Sequence, residues 1–283
     1  MGSRSAWCVI IEGTLASTWQ RNNAESGIPV YSPQEYTCDL LGGKWEGEKQ
    51  YMAKVQEIVP GVYRVDAVKI PYVVSVLLIR DGDGWVLVDT GRSSTRIQEA
   101  LTAVGARPDQ LKCIYLTHHH SEHISGLPTI LWWAPDVELV TSEYEAKIIS
   151  GERAPDPLAD PLSSYIAVRD LPTVPMERIH KLPEDADYEV AGFHVIFTPG
   201  HTGGHTSLLN KKHGLLFTAD AFGRMPEIRV GVNDAISADP TEARCSAEKL
   251  LKEEFSTVVF SHGKPIRGED AKRRLRRVVD RHG

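Results

Sequence analysis

The sequence, 283 residues long, has little cysteine and no long hydrophobic run. Its four cysteines, Cys8, Cys38, Cys113 and Cys245, include no C-x-x-C pair. This spacing argues against a disulfide framework and against a zinc site of paired thiolates, so it indicates free thiols. No stretch reaches the roughly 18 to 20 apolar residues of a membrane helix, and the N-terminus lacks the order of a secretory signal. We therefore predict a cytoplasmic protein without a membrane partner.

An excess of positive charge is also missing, since the formal net charge is −6. This balance argues against a broad phosphate-binding surface and hence against a nucleic-acid partner. The basic run at 272–277 is interpreted as a solvated helix face. A small molecule is the expected partner, and the sequence leaves the oligomeric state open.

Residues 1–51 show little periodicity, whereas regular patterns begin at Met52. We predict an N-terminal extension of unknown role at 1–51 and one domain at 52–283. Alternating residues predict strands at 53–59 and 62–68, and an Asp-Gly turn predicts a hairpin of 74–80 with 85–89. Helices are predicted near 93–104, 124–133, 142–150, 240–254 and 268–281, and further strands near 113–116, 136–141, 188–197, 205–209, 214–219 and 257–260. The proline-rich stretch 151–187 is predicted to be a loop that forms a lid.

A cluster of histidines follows the apolar strand 113–116, in the segment Thr117-His118-His119-His120-Ser121-Glu122-His123. Side chains alternate in an extended segment, so His118 and His120 share one face and His119 points away. A turn into the following helix brings Glu122 and His123 to a second point beside the first. Imidazole and carboxylate ligands together suit zinc, iron or manganese.

Three other predicted strands or Gly-rich turns end in a residue that can bind metal. His201 lies in Thr198-Pro199-Gly200-His201-Thr202-Gly203-Gly204-His205, Asp220 follows the strand at 214–219, and His262 follows the strand at 257–260. We predict one metal centre formed by His118, His120, Glu122, His123, His201, Asp220 and His262. His205 and Asp89 are predicted to support it from behind, because a ligating imidazole donates its second N–H to a neighbouring acceptor. The remaining histidines, including His119, lack a paired motif and are interpreted as structural.

These motifs, taken in order, resemble those of the metallo-β-lactamase superfamily, and most closely its lactonase and glyoxalase II-like hydrolases. The resemblance implies a four-layer αβ/βα sandwich of the α+β class, with two mixed β-sheets flanked by helices. It implies two divalent metal ions, zinc by preference with iron or manganese as alternatives. His118, His120 and His201 would hold the first ion, Glu122, His123 and His262 the second, and Asp220 would bridge them. The family usually has Asp where this chain has Glu122, which leaves occupancy of the second site open.

The activity implied by the resemblance is hydrolysis by a metal-bound hydroxide, with Asp220 and Glu122 as the catalytic residues. A carboxylic ester or lactone is the favoured substrate, ahead of a thioester and a β-lactam. A mononuclear iron oxygenase acting on persulfides and a nuclease of the same superfamily are the alternatives. Five residues are predicted to line an apolar pocket, namely Trp132, Trp133, Tyr165, Phe222 and Met225.

Overall fold

A computed structural model describes residues 53–158, 160–184 and 186–281. The predicted extension at 1–51 and His282 lie outside these residues, so the division at residue 51 stays a prediction. Described strands are β1 (Val55–Val59), β2 (Val62–Asp66), β3 (Ser75–Asp81), β4 (Gly84–Val88), β5 (Leu111–Tyr115), β6 (Glu138–Ser142), β7 (Ile179–Leu182), β8 (Glu189–Val190), β9 (Phe193–Phe197), β10 (Thr206–Asn210), β11 (Leu215–Phe217), β12 (Phe222–Arg224), β13 (Ile228–Val230), β14 (Thr257–Val259) and β15 (Ile266–Arg267). Described α-helices are α1 (Ser94–Ala103), α2 (Ser121–Ile124), α3 (Leu127–Trp133), α4 (Glu143–Ile149), α5 (Pro161–Val168), α6 (Pro240–Leu250) and α7 (Asp270–Val279).

Two mixed sheets form the centre of the domain. The first has seven strands in the order β1 to β7, antiparallel from β1 to β4 and parallel from β4 to β7. The second has six strands in the order β15-β14-β11-β10-β9-β8, in which only β11 and β14 pair in parallel. As a result, β9, β11 and β14 all end at the same edge of the second sheet.

Three hydrophobic layers hold these sheets and their helices together. Alternation on β3 sends Leu78 towards the helical layer that contains Leu101 and Ile130, while Leu77 faces the second sheet and packs with Phe217. A third cluster joins the far face of the second sheet to α6 and α7. Each fully buried leucine or phenylalanine contributes roughly 1.5–3 kcal/mol by leaving water. The predicted four-layer αβ/βα sandwich is confirmed.

Two predicted elements are divided in the structure. The helix predicted at 124–133 becomes α2 and α3, because Gly126 N–H donates to Gly91 O instead of continuing the helical pattern. A Cβ at Gly126 would lie 2.7 Å from Thr90 O, so this break depends on glycine. The strand predicted at 188–197 becomes β8 and β9, since Ala191 (φ 47°) and Gly192 (φ 78°) form a tight turn between them.

The prediction of a loop over 151–187 was partly wrong. Helix α5 and strand β7 both lie within this range, and β7 extends the first sheet by pairing in parallel with β6. Strand β7 lies at the edge of the sheet, where only Ile179 and Leu182 are buried. Its sequence therefore has few apolar positions and gave no strand pattern. Helix α5 does lie near the predicted metal residues, since Ser121 Oγ donates to Ile166 O over 3.1 Å. Its role as a lid stays a prediction.

None of the described helices is long and apolar enough to span a bilayer.

Candidate metal centre

The predicted ligands converge on one edge of the two sheets. The segment from His118 to His123 follows β5, His201 lies in the turn between β9 and β10, and Asp220 and His262 follow β11 and β14. These strands all end at the same edge, where side chains from several loops can meet. Candidate ligand atoms fall into three groups, with atoms in each lying within 4.8 Å of one another: His118, His120 and His201; His118, His123 and Asp220; Glu122, His123 and His262.

Asp220 lies at the centre of this cluster. Its Oδ2 atom is 3.1 Å from His262 Nε2 and 3.4 Å from His201 Nε2. The same oxygen is 3.6 Å from His123 Nε2 and 4.0 Å from His118 Nε2. The side chain is fully buried, and neither carboxylate oxygen has a hydrogen-bond partner among the described residues.

The outer nitrogens of four imidazoles contact protein acceptors. Nδ1 of His123 lies 2.9 Å from Asp89 Oδ2, and Nδ1 of His201 lies 3.2 Å from Gly231 O. Nδ1 of His262 donates to Val73 O, and Nδ1 of His118 lies 3.0 Å from Thr117 Oγ1, whose hydroxyl donates to Asp89. This pattern assigns the N–H to Nδ1 in each ring and leaves a lone pair on each inward Nε2.

His120 Nδ1 lies 3.0 Å from His201 Nε2, so one of these two nitrogens donates to the other. The other inward-facing nitrogens of these rings and the oxygens of Asp220 are acceptors when the rings are neutral. Within the described parts of the chain, the buried Nε2 atoms of His118 and His123 and both oxygens of Asp220 have no hydrogen-bond partner. Buried polar groups without partners cost roughly 1–3 kcal/mol each, and more when charged. A cation bound among these atoms removes that cost, so the residues present fit a divalent metal centre.

Burial lowers the pKa of some of these imidazoles, and the charge of Asp220 raises the pKa of others. Burial lowers the pKa of His118 and His120 well below the usual value, and lowers that of His201 to about 4. Burial opposes the charge on His123 and His262 too, but Asp220 raises the pKa of both. Those imidazoles in turn hold the pKa of Asp220 well below its usual value despite burial. Protons and metal ions thus compete for the same lone pairs.

Asp89 contacts a candidate ligand ring, as predicted, whereas His205 contacts the main chain of Asp220 and no ring N–H of a candidate ligand among the described residues. Besides His123 Nδ1, Asp89 accepts from Thr117 N over 2.8 Å and from Thr117 Oγ1, so it supports the segments on both sides of His120. His205 Nε2 accepts from the Asp220 N–H over 3.1 Å and thereby orients the main chain at Asp220 rather than a ligating ring. Burial lowers the pKa of His205 to about 3, which keeps this acceptor neutral.

A buried carboxylate that the sequence did not single out joins the two histidine loops. Glu145, at the start of α4, lies with Oε2 2.6 Å from His119 Nδ1. Its Oε1 accepts from Thr202 Oγ1 over 2.5 Å and from Gly204 N over 3.1 Å. His119 points away from its neighbours, as the alternation predicts, and lies within hydrogen-bonding distance of the residue that connects both loops. An isolated glutamate in a helix offered no signal for this role.

The loop at 70–73 was also missed, although it holds His262. Gly263 N–H donates to Tyr72 O over 2.8 Å, next to the bond from His262 to Val73. Tyr72 is fixed in turn by Asp66, which accepts its N–H over 2.9 Å and pairs with the buried Arg64. These contacts join residues about 190 positions apart in the sequence.

Close backbone approaches explain two glycines beside the ligands. Gly200 has φ 123°, and a Cβ there would lie 2.1 Å from Ala243 N in α6. Gly263 has φ 118°, and a Cβ there would lie 2.3 Å from Arg224 O. Both positions combine a conformation that favours glycine with a lack of space for a side chain.

The five predicted pocket residues do not form one pocket. Phe222 is fully buried in the core of the second sheet, and Trp133 packs on the helical core. Trp132 and Tyr165 are 50% and 60% exposed. Of the five, only Met225 lines the cleft formed by residues 71–73, 224–226, 263 and 264.

Comparison with known proteins agrees with this architecture. Residues 70–262 match the model of the family described as the metallo-beta-lactamase superfamily. The chain belongs to the metallo-beta-lactamase superfamily. The probable metallo-hydrolase YflN of Bacillus subtilis is 27% identical over 247 residues, which cover 80% of this chain and 92% of YflN.

Two further matches within the superfamily are more distant. A hydroxyacylglutathione hydrolase of Aeromonas hydrophila is 24% identical over 185 residues, covering 65% of this chain and 59% of that enzyme. The crystal structure of a metallo-beta-lactamase family protein from Thermus thermophilus superposes with a TM-score of 0.61 at 22% identity, covering 80% of each chain. At that identity the structural match shows the shared fold alone. Metal-dependent hydrolysis is the class of activity that the sequence relatives support.

Proposed function

We propose that this protein hydrolyses an ester-like bond with the help of two divalent metal ions, zinc by preference. Carboxylic esters and lactones are the favoured substrates, ahead of thioesters and β-lactams. The observation that carries the proposal is the buried cluster of imidazoles around Asp220, in which His118 Nε2, His123 Nε2 and both Asp220 oxygens have no hydrogen-bond partner among the described residues. The names of the hydrolase relatives support the same class of reaction.

His118, His120 and His201 would hold one ion, and Glu122, His123 and His262 the other, with Asp220 between them. Bound divalent ions lower the pKa of a coordinated water towards about 7 and polarise a carbonyl oxygen. Asp89, Thr117 and Gly231 O contact the outer nitrogens of His123, His118 and His201, which would keep the ligating nitrogens directed inward.

Asp220 is the residue proposed to move a proton. Its Oδ2 has no hydrogen-bond partner among the described residues and lies within 4.0 Å of four imidazole nitrogens, and a low pKa keeps the carboxylate ionised at neutral pH. An ionised carboxylate can accept the proton of an attacking water and deliver it to the leaving group. Glu122 is half-buried beside His123 and His262, so it contributes negative charge at the more open side of the cluster.

The test combines elemental analysis of the purified protein with hydrolysis of lactones, aryl esters, thioesters, a phosphodiester and a chromogenic β-lactam. We expect about two zinc ions per chain and turnover of one carboxylic ester class. Turnover of the phosphodiester alone would support the nuclease instead. A single iron ion without hydrolysis would support the persulfide oxygenase.

Asp220→Asn is the matched variant, because it removes the charge and keeps the shape. We expect kcat to fall by roughly 10²- to 10⁴-fold, the usual contribution of acid–base catalysis. The control is Asp234→Asn, at an exposed position outside the cluster. Full activity together with full metal content in Asp220→Asn would contradict the proposed role.

A further inference from the structure

A cleft of about 570 Å³ opens beside His262, a member of the group with Glu122 and His123. Three segments of the chain line it: the loop at 71–73, the end of β12 with the two residues after it, and the two residues that follow His262. The lining residues are Pro71, Tyr72, Val73, Arg224, Met225, Pro226, Gly263 and Lys264.

The walls of this cleft are continuous with the metal centre. Val73 O accepts the ring N–H of His262, and Tyr72 O accepts the N–H of Gly263. On the opposite wall, Arg224 N–H donates to His262 O over 2.6 Å. A molecule in the cleft therefore lies against the backbone that carries His262, next to the proposed reacting atoms.

The charged groups in the cleft are all positive. Arg224 and Lys264 line it without any carboxylate among the lining residues, and neither forms an ion pair within the described parts of the chain. Arg224 donates through Nη1 to Lys264 O over 3.0 Å, which fixes the guanidinium and leaves Nε and Nη2 without a described partner. Burial lowers the pKa of Arg224, and the like charge of Arg274 lowers it further. This local excess contrasts with a formal net charge of −6 for the whole chain.

The rest of the cleft is apolar. Pro71, Val73, Met225 and Pro226 supply most of its non-polar lining, and Met225 is 48% exposed there. The Lys264 ammonium lies 5.6 Å from the centroid of the Tyr72 ring, a contact that leaves its charge without a carboxylate among the described residues. Two such cations at a partly apolar cleft favour an anionic group carried on a hydrocarbon segment, because guanidinium and ammonium groups pair with carboxylate or phosphate.

We propose that this cleft binds an anionic group of the substrate, held by Arg224 and Lys264, on a short apolar chain that leads to the bond that is cleaved. The inference rests on the proposed function for the identity of the occupant as part of a substrate. It narrows the substrate class to esters or lactones that carry a second, anionic group. Carboxylate and phosphate share the chemistry required, and the probes below separate them.

The first measurement is binding without turnover, by calorimetry on the full-length protein with its native metal content. The probes are 4-phenylbutyrate, 3-phenylpropylphosphonate and the neutral 4-phenylbutan-1-ol, none of which contains a bond to hydrolyse. We expect an anionic probe to bind at least about 10-fold more tightly than the alcohol, as for hydrogen bonds to a charged group. The tighter of the two anions identifies the source. Equal affinity for all three probes would overturn the proposal.

Variants then locate the binding. We expect Arg224→Gln to weaken the preferred anion by about 10-fold and Lys264→Gln, at an exposed position, by about 3-fold. Lys264→Glu reverses the charge without removing a packed side chain, and should weaken the anion further while leaving the alcohol unchanged. The control Lys252→Gln removes an exposed lysine outside the cleft and should change nothing. Metal content is measured for each variant, because direct coordination of the anion would persist in all of them. Anion affinity that survives both Lys264→Glu and Arg224→Gln would refute the subsite.

The final arm compares hydrolysis of 4-nitrophenyl hydrogen glutarate with that of 4-nitrophenyl valerate. We expect kcat/KM to favour the anionic ester in the wild-type protein, and Lys264→Glu to abolish that preference. Turnover of both esters at equal rates, with probe binding unaffected by the variants, would overturn the inference and leave the proposed function intact. Anion binding that depends on Arg224 and Lys264, without hydrolysis of any ester, would refute the proposed function and support the subsite.

Discussion

Two of the three groups of candidate ligands, one containing His201 and the other His262, differ in burial and charge. In the first, His118, His120 and His201 are each at most 2% exposed. In the second, the side chain of His262 is 12% exposed and Glu122 is half-buried. The first group contains only imidazoles, whereas the second adds a carboxylate and lies beside the cationic cleft.

This difference determines which rings carry an extra proton before a metal ion binds. Burial keeps the rings of the first group neutral, so their lone pairs are available without loss of a proton. In the second group, the charge of Asp220 retains protons on His123 and His262. We therefore expect an ion at the first group to meet neutral rings, and an ion at the second group to displace protons from His123 and His262.

Removing one imidazole from each group gives the largest expected effects. His201→Ala should weaken the first ion by more than about 100-fold, because even residues behind a ligand alter metal affinity by roughly 10- to 100-fold. His262→Ala should leave about one ion per chain, held by the intact first group. Elemental analysis after dialysis against a weak chelator checks both, with His213→Ala as a control at a partly buried turn position. Loss of both ions from His262→Ala would show that the two groups do not act independently.

Substitution of Asp89 tests whether the two groups bind their ions independently, because Asp89 is connected to one ring of each group. Its carboxylate contacts His123 directly and reaches His118 through Thr117. Asp89→Asn should therefore weaken both ions, each by roughly 10- to 100-fold. Competition titrations with a chromophoric chelator measure the two affinities. Weaker binding of the second ion alone would mean that the contact with His118 through Thr117 does not affect metal affinity. Thr117→Val, which keeps the shape and removes the hydroxyl, should affect His118 and the first ion only.

The pKa difference predicts opposite pH responses at the two groups. Groups with a raised pKa keep their protons to higher pH, so binding at His123 and His262 releases protons and strengthens as pH rises. Between about pH 6 and pH 8 we expect second-ion affinity to increase by roughly tenfold per pH unit for each proton released. First-ion affinity should change little, because the pKa of His201, at about 4, and the lowered values of His118 and His120 lie below this range. Zinc titrations at several pH values, corrected for chelator protonation, measure both affinities. Equal dependence of the two affinities on pH would contradict the prediction.

Much of the site could be predicted because each ligand ends a strand or a Gly-rich turn. Local alternation was enough to separate His119 from His118 and His120, and motif order was enough to predict the four-layer fold. The supports that join distant segments could not be predicted in this way. Glu145 contacts residues 26 to 59 positions away, and Val73 contacts His262 across 189 positions. Such contacts depend on tertiary packing, to which a single sequence gives no local signal.

The errors in the predicted elements have the same origin. Periodicity alone continued the helix through Gly126, where packing against Thr90 breaks it, and continued the strand through Ala191 and Gly192, where the chain turns. The edge strand β7 escaped notice because only two of its four residues are buried.

The smallest expected effect concerns Glu122, where the motif resemblance leads us to expect Asp. The structure brings a Glu122 oxygen within 4.8 Å of ligand atoms of both His123 and His262, so the longer side chain does reach the second group. Its carboxylate also lies 3.4 Å from Ser121 Oγ, which contacts α5. Glu122→Asp should therefore change second-ion affinity by only about 3-fold, whereas Glu122→Gln, which removes the charge, should weaken it by roughly 10-fold or more. Equal losses in both variants would mean that reach matters more than charge. In that case the affinity of the second group for metal would depend on the position of the carboxylate more than on its charge.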